Sequence, residues 1–136
     1  MTSNPSPPLT IGEKMPDGTV YAGDSPDTGR PMYVTPEDAP GTMKWHEAME
    51  YAARFDGHGH HDWRSPSENE LTVLFNNRAA IGGFATHGMT SASWYWSSQL
   101  DKGLMPDLAA ITLRFDTGQK QSEYKVYRSA LRCVRG

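Results

Sequence analysis

The spacing of apolar residues predicts two helices in the first half of the chain. The first has apolar residues at the i, i+3, i+4 and i+7 positions that share one face of a helix: Trp45, Ala48, Met49 and Ala52. Thr42 precedes this stripe and is expected to cap the helix. Gly57 follows the stripe and is expected to end it.

The second predicted helix begins at a capping box. Ser67 can accept a hydrogen bond from the amides of the first turn, while Glu70, three residues later, can reach back to the Ser67 amide. The short apolar face that follows consists of Leu71, Leu74 and Phe75. This face ends at Arg78, where the next core position falls, and Gly82-Gly83 opposes continuation. The pattern therefore predicts a helix of about three turns.

Period-two alternation predicts strands on both sides of these helices. Turn-rich Gly, Asp and Pro residues flank Thr19-Val20-Tyr21 and the β-prone segment 31–35, which indicates an N-terminal hairpin over residues 18–35. Strands are predicted after the helices as well, over residues 94–97, 109–115 and 129–134. Helices grouped apart from antiparallel strands indicate an α+β fold.

Alternation also assigns side chains to faces of the predicted strands. Tyr95 and Trp96 are neighbours and point to opposite faces, so at most one of them is expected in the core. Trp94 lies on the side of Trp96 and is the ring that we expect to be available to a ligand. In the last strand, Leu131 and Cys133 are expected on one face and Arg132 on the other.

Composition indicates one soluble domain. With 136 residues, of which 37% are hydrophobic, the chain can bury one core. We expect a single domain over residues 11–136, preceded by an extended Pro-rich arm over residues 1–10. The lone Cys133 cannot form an internal disulfide and is expected to be a small buried hydrophobe rather than a reactive thiol.

Charge and hydropathy argue against several classes of partner. The formal net charge of −3 is spread without basic blocks, so we expect no nucleic-acid binding. No apolar run approaches the roughly 20 residues that cross a bilayer, so we expect no membrane insertion. The first residues lack both the basic and the apolar regions of a secretion signal.

Few residues indicate catalytic or metal chemistry. His58 and His60 could share one side of an extended loop that runs to His61, but only their spacing supports a metal site, and a solvated loop is the expected state. No Ser/His/acid set, Cys/His set or phosphate-binding glycine loop occurs. The expectation is a protein that is not an enzyme and needs neither metal nor cofactor.

Three separated motifs indicate a family: Asp62-Trp63-Arg64-x-Pro66-Ser67-x-x-Glu70-Leu71, Tyr95-Trp96-Ser97-Ser98 and Leu131-Arg132-Cys133-Val134-Arg135. In order and spacing they resemble the C-terminal domain family of bacterial collagen-like adhesins, from about residue 41 to the end. The common form of that family has Leu where Ser65 stands. The resemblance implies a C-type-lectin-like fold, with two helices packed on a curled antiparallel sheet with long loops, and a homo-oligomer.

The resemblance also implies where a ligand would bind. In such a fold the loops 79–93, 99–108 and 119–128 lie near one another. They offer aromatic, amide and charged side chains suited to a glycan or protein epitope: Trp94, His87, Gln99, Asp101, Gln121, Tyr124, Tyr127 and Arg128. The Glu-Pro-Asn and Trp-Asn-Asp motifs of calcium-dependent lectins are absent, so binding is expected to be calcium-independent. Any one of these residues is equally consistent with an ordinary solvated loop position.

Two functions follow from this reading. The first is a non-catalytic recognition module that binds a cell-surface glycan or protein. The second is a structural or decoration subunit of a phage virion or surface appendage, in which residues 1–10 dock to neighbouring subunits. Either role places the protein on a virion or at the cell exterior, and the missing secretion signal favours the second role.

Overall fold

The computed structural model describes residues 9–86, 91–103 and 105–136. Over these residues the fold is α+β, with two antiparallel three-stranded sheets and three helices. The first sheet has the order β1-β2-β6, from β1 (Val20–Asp24), β2 (Pro31–Val34) and β6 (Val134–Arg135). The second has the order β3-β4-β5, from β3 (Trp94–Leu100), β4 (Ala109–Arg114) and β5 (Lys120–Tyr124). The helices are α1 (Trp45–Arg54), α2 (Glu68–Asn76) and α3 (Arg78–Ile81), and single 3₁₀ turns occupy Gly57–Gly59 and Ser91–Ser93.

The first two strands form an antiparallel hairpin inside segment 18–35. Val20 pairs with Val34, and an irregularity between Tyr21 and Gly23 shifts the register. Gly23 has a φ of +107°, a backbone conformation that favours glycine. The division into an arm of residues 1–10 and a domain of residues 11–136 stays a prediction, because residues 1–8 lie outside the described residues.

Helix α1 begins three residues later than the predicted cap. Its N-cap is Lys44, and the carboxylate of Glu47 accepts a hydrogen bond from the Lys44 amide at 2.9 Å. Thr42 does not cap the helix, because Met43 pairs with Ser129 as an isolated β-bridge and holds this segment extended. The helix can start only after that pairing ends.

Helix α2 has the predicted capping box. The Ser67 hydroxyl accepts a hydrogen bond from the Glu70 amide, and the Glu70 carboxylate accepts one from the Ser67 amide at 2.9 Å. The helix ends at Asn76, however, and the one-turn α3 follows with Ile81 buried. The predicted loop 79–93 therefore begins with helical structure.

Strand β3 is buried on both faces over residues 95–97, and this corrects the expectation for Tyr95 and Trp96. Both residues are fully buried. Tyr95 packs into a cluster with α2 and the first sheet, whose members include Leu71 and Phe115. Trp96 packs into a second cluster, on the α1 side of the sheet, together with Trp63. A strand between two layers places both alternating sets of side chains in a core.

The C-terminal segment crosses between these clusters. Strand β6 covers only Val134–Arg135, shorter than the predicted strand 129–134. Leu131 and Cys133 belong to the α1-side cluster, as expected. Arg132 points the other way but is fully buried, and its guanidinium donates hydrogen bonds to the carbonyls of Thr35 at 2.7 Å and Gly82 at 2.9 Å.

Candidate functional site

One end of the second sheet carries a group of exposed apolar side chains, which we call the tyrosine patch. Its members are Met105, Leu108, Tyr124, Val126 and Tyr127. Backbone pairing brings them together, because Ala109 pairs with Tyr124 and the Lys125 amide donates to the Leu108 carbonyl at 2.8 Å. Val126 is 68% exposed and Leu108 is 59% exposed. Apolar groups so concentrated at a surface indicate an interaction site.

Two aromatic rings lie at the centre of this patch. Tyr124 and Tyr127 are 44% and 56% exposed, and their rings lie perpendicular to each other with centroids 5.7 Å apart. A turn holds them together, because the Tyr127 amide donates to the Tyr124 carbonyl at 3.0 Å. Perpendicular rings offer both a face and an edge to a ligand.

The turn that carries these rings is fixed to the beginning of α1. The Trp45 amide donates to the Lys125 carbonyl at 3.0 Å, and the Lys125 ammonium lies 4.5 Å from the centroid of the Trp45 indole ring. Met43 and Ser129 exchange two backbone hydrogen bonds on the far side of the turn. Arg128 also contributes, since its guanidinium donates to the Thr42 carbonyl at 2.9 Å.

Asp101 lies in the same region and organises the loop before β4. Its carboxylate accepts hydrogen bonds from the Ser122 hydroxyl and from the amides of Gly103 and Met105, at 3.1 and 3.2 Å for the two amides. These bonds, that from Ser122 first, hold the pKa of the Asp101 carboxyl below its usual value. Asp101 therefore supports the loop rather than presenting unused acceptors.

Gln121 and Gln99 lie in strands and not in the predicted loops. Gln121 lies in β5 and pairs with Thr112 of β4. Because it is three residues before Tyr124, its side chain points to the opposite face of the strand. Because β5 occupies Lys120–Tyr124, the predicted loop 119–128 was wrong over these positions. Gln99, predicted in a loop, lies in β3 with its side chain exposed.

Trp94 lies at the other end of β3. Six residues separate it from Leu100, a distance of about 20 Å along a strand. Its indole ring is half-buried and faces Arg114, whose guanidinium carbon is 6.0 Å from the ring centroid. The structure thus separates Trp94 from the tyrosine patch. His87 lies outside the described residues.

Sequence reasoning missed the aliphatic members of the patch. Leu108 directly precedes β4 and Val126 follows β5, so neither fits the period of an element. Their signal was apolar character inside polar connecting segments. These residues can be recognised as one surface only from the strand pairing, which places the two segments side by side.

The histidine loop contacts the segment before β1. The His58 Nδ1 atom lies 2.8 Å from the Asp17 carbonyl oxygen, and the His60 Nε2 atom lies 2.7 Å from the Asp17 carboxylate. The bond to His60 is the main reason that the pKa of Asp17 is strongly lowered. Within residues 9–86, 91–103 and 105–136, no group of three or more His, Cys, Asp or Glu side chains is arranged to hold a metal ion.

Cys133 is buried, as the sequence predicted. Its residue is 2% exposed, and burial raises the pKa of the thiol to about 12. A thiol with so high a pKa is almost entirely protonated near neutrality, which makes it a poor nucleophile.

Comparison with known proteins identifies a family. The family model of the Lcl C-terminal domain matches residues 18–135, which confirms the resemblance found in the sequence. Comparison with curated proteins found no match. In the part of the chain that the structure describes, every helix is too short or too polar to cross a bilayer.

Proposed function

Because the chain belongs to the Lcl C-terminal domain family, we propose that it is a non-catalytic recognition module with a C-type-lectin-like fold. It binds a cell-surface glycan or protein without calcium. The observation that carries this proposal is the tyrosine patch, where two exposed rings stand among exposed aliphatic side chains at one end of the second sheet.

The patch has the composition of a recognition surface. Tyrosine gives a large and rigid contact area at a small cost in side-chain entropy, and its hydroxyl adds a hydrogen bond. Tyr124 and Tyr127 already contact each other, so a ligand would meet a preformed pair. Such aromatic residues commonly contribute most of the free energy of an interface.

Local carboxylates support binding without calcium. A calcium site needs six to eight oxygen ligands, usually including several carboxylates. Asp101 is already hydrogen-bonded to Ser122 and to two amides. The Glu123 carboxylate accepts hydrogen bonds from the Tyr124 amide at 3.1 Å and from the Gln121 side chain at 3.5 Å. Asp101 and Glu123 therefore serve the protein's own loops.

A second candidate function is a structural or decoration subunit of a virion or appendage. The aliphatic members Leu108 and Val126 favour this candidate, because they suit an apolar protein surface better than a hydroxyl-rich sugar. In that case the patch would contact a neighbouring subunit, the arm of residues 1–10 would add a second attachment, and the protein would form homo-oligomers. Both functions place it on a virion or at the cell exterior.

Binding of purified protein to a glycan array and to whole bacterial cells, with and without EDTA, tests the proposal. We expect binding that resists EDTA and falls at least about tenfold in Tyr127→Ala, the loss typical of a central interface residue. Gln121→Ala is the matched control, because Gln121 is exposed on the opposite face of β5, and it should bind like the parent protein.

The other outcomes separate the alternatives. Binding that EDTA abolishes contradicts calcium independence. Equal loss in both variants contradicts the assignment to the patch. Well-folded protein that binds neither glycans nor cells, but forms assemblies that Tyr127→Ala disrupts, supports the subunit role.

A further inference from the structure

A cleft of about 350 Å³ lies between residues 35–40 and the C-terminal half of α1, and we call it the α1 cleft. Two prolines and an alanine come from the first segment, Tyr51 comes from the helix and Phe55 is its C-cap residue, and Cys133 adds its buried side chain. The volume falls within the lower range of small-molecule sites, which is about 300 to 1,000 Å³. Its lining is mostly apolar.

Two rings form a fixed aromatic wall in this cleft. Tyr51 and Phe55 lie one helical turn apart, with stacked rings whose centroids are 5.6 Å apart and whose planes differ by 17°. Trp63 supports Phe55 from behind at 5.6 Å between centroids. Gly57 leaves room for that ring, because a Cβ at this position would lie only 2.2 Å from it.

One carboxylate at the cleft has no hydrogen-bonded or ion-paired partner among the described residues, although the buried Arg132 lies within its electrostatic range. Asp38 is matched, since its carboxylate accepts hydrogen bonds from the Arg132 guanidinium at 3.0 Å and from the Tyr95 hydroxyl at 2.5 Å. The Glu37 side chain is exposed and makes no hydrogen bond or ion pair within the described part of the chain. Glu37 thus gives the cleft an unpaired carboxylate.

The nearby polar groups are bonded to partners other than the Glu37 carboxylate, and Arg132 in particular pairs directly with Asp38. The Thr35 hydroxyl donates to the Glu37 carbonyl at 2.8 Å, and the His58 Nδ1 atom is bonded to the Asp17 carbonyl. Burial, with smaller effects from Cys133 and Glu37, raises the pKa of the Tyr51 hydroxyl. Glu37 and Tyr51 both line the cleft, so a ligand there would meet the carboxylate and the aromatic wall together.

We propose that the α1 cleft binds a small ligand that carries a protonated amine on an aromatic or branched apolar body. The apolar body would pack against the Tyr51 and Phe55 rings and the prolines, which removes it from water. The ammonium would lie near the Glu37 carboxylate and the Tyr51 ring, where both charge and ring quadrupole favour a cation. Neither feature suits an anionic or a neutral polar ligand.

The α1 cleft is separate from the tyrosine patch. The patch is fixed beside Trp45 at the beginning of α1, whereas Tyr51 lies in the second half of that helix and Phe55 directly follows it. This inference therefore does not depend on the proposed recognition function. A substitution that abolishes ligand binding at the α1 cleft should leave binding at the tyrosine patch unchanged, and the reverse should also hold.

Titration of ¹⁵N-labelled protein with phenethylamine, followed by NMR, tests the proposal. The matched ligands are 2-phenylethanol, which lacks the charge, and 3-phenylpropionate, which reverses it. We expect phenethylamine to shift the Ala39, Phe55 and Cys133 amides and to bind at least about fivefold more tightly than the alcohol, as one ion pair or cation–π contact would provide. The carboxylate should bind more weakly still.

Two single substitutions test whether Glu37 is the group that binds the ammonium. Glu37→Gln should reduce the affinity for phenethylamine to that for the alcohol, while Glu50→Gln, an exposed acid on α1 that does not line the cleft, should leave it unchanged. Because Glu37 is exposed, its replacement should not unfold the protein. Absence of shifts at the cleft, equal binding of the three ligands, or equal affinity of Glu37→Gln and the parent protein would overturn the proposal.

Discussion

Replacement of Glu70 by Gln tests the electrostatic centre of the fold. Glu70 is fully buried, and its carboxylate accepts hydrogen bonds from the Arg64 guanidinium at 2.7 Å, from the Ser25 hydroxyl at 2.6 Å and from the Ser67 amide at 2.9 Å. Gln keeps the size of the side chain and the capping acceptor for Ser67. The change therefore removes mainly the charge, opposite an Arg64 that then has no carboxylate partner.

The pKa of Glu70 gives the expected loss of folding free energy. Burial alone would raise it, but the hydrogen bonds from Arg64, Ser25 and Ser67 lower it from 4.5 in the unfolded chain to about 2. This difference corresponds to about 3 kcal/mol of folding free energy. Because the folded-state pKa is the lower one, the stabilisation is present above pH 4.5 and is lost as the pH falls toward 2.

Urea unfolding monitored by circular dichroism measures this effect. At neutral pH we expect Glu70→Gln to lose about 3 kcal/mol, and we expect the two proteins to converge as the pH falls below 4.5. Glu68→Gln on the same helix is the matched control, because Glu68 pairs with the exposed side chains of Lys102 and Lys120, and it should lose less than about 1 kcal/mol. A neutral-pH loss no larger than that of the control, or parallel pH profiles, would refute the reasoning.

Two further predictions concern buried groups. Asp38→Ala leaves the fully buried Arg132 without its carboxylate and is expected to lower the free energy of unfolding by about 3 kcal/mol. Asp62→Ala breaks an ion pair whose carboxylate is 61% exposed and should lower it by less than about 1 kcal/mol. Thermal and urea unfolding compare the two variants, and equal losses would contradict the prediction for Asp38. The Cys133 thiol, with its pKa raised to about 12, should react with an aromatic disulfide reagent only as fast as the protein opens; rapid labelling of folded protein would show that it is accessible.

Local chemistry in the sequence was sufficient for part of the fold. The capping box of Ser67 and Glu70 requires only a three-residue spacing, and the structure contains it. The apolar face of α1 was predicted from the sequence for the same reason, because the 3.6-residue period of a helix is a local pattern. The matched family agrees with the three motifs that were read from the sequence.

Long-range pairing explains what the sequence did not reveal. Thr42 has the chemistry of a cap, but pairing of Met43 with Ser129 keeps this backbone extended. Tyr95 and Trp96 alternate as predicted, yet layers on both sides of β3 bury both of them. Neither fact is local, because each depends on segments more than thirty residues away.

The candidate site was only partly predictable for a related reason. Tyr124 and Tyr127 were chosen for residue type, and the structure brings them together at one surface. Trp94 was chosen in the same way but lies at the other end of its strand. Which exposed side chains share a surface depends on strand register, and residue type does not encode it.

The backbone anchoring of the turn that carries Tyr124 and Tyr127 has a consequence for diversification. Main-chain atoms make the hydrogen bonds that link Lys125 to Trp45 and to Leu108, so they persist whatever side chains the turn presents. Exposed positions such as Val126 can then accept substitutions without loss of the framework. Homologous chains with this framework could differ in the partner they recognise while folding alike, and their ordering cost on binding would stay low because the loop is already shaped.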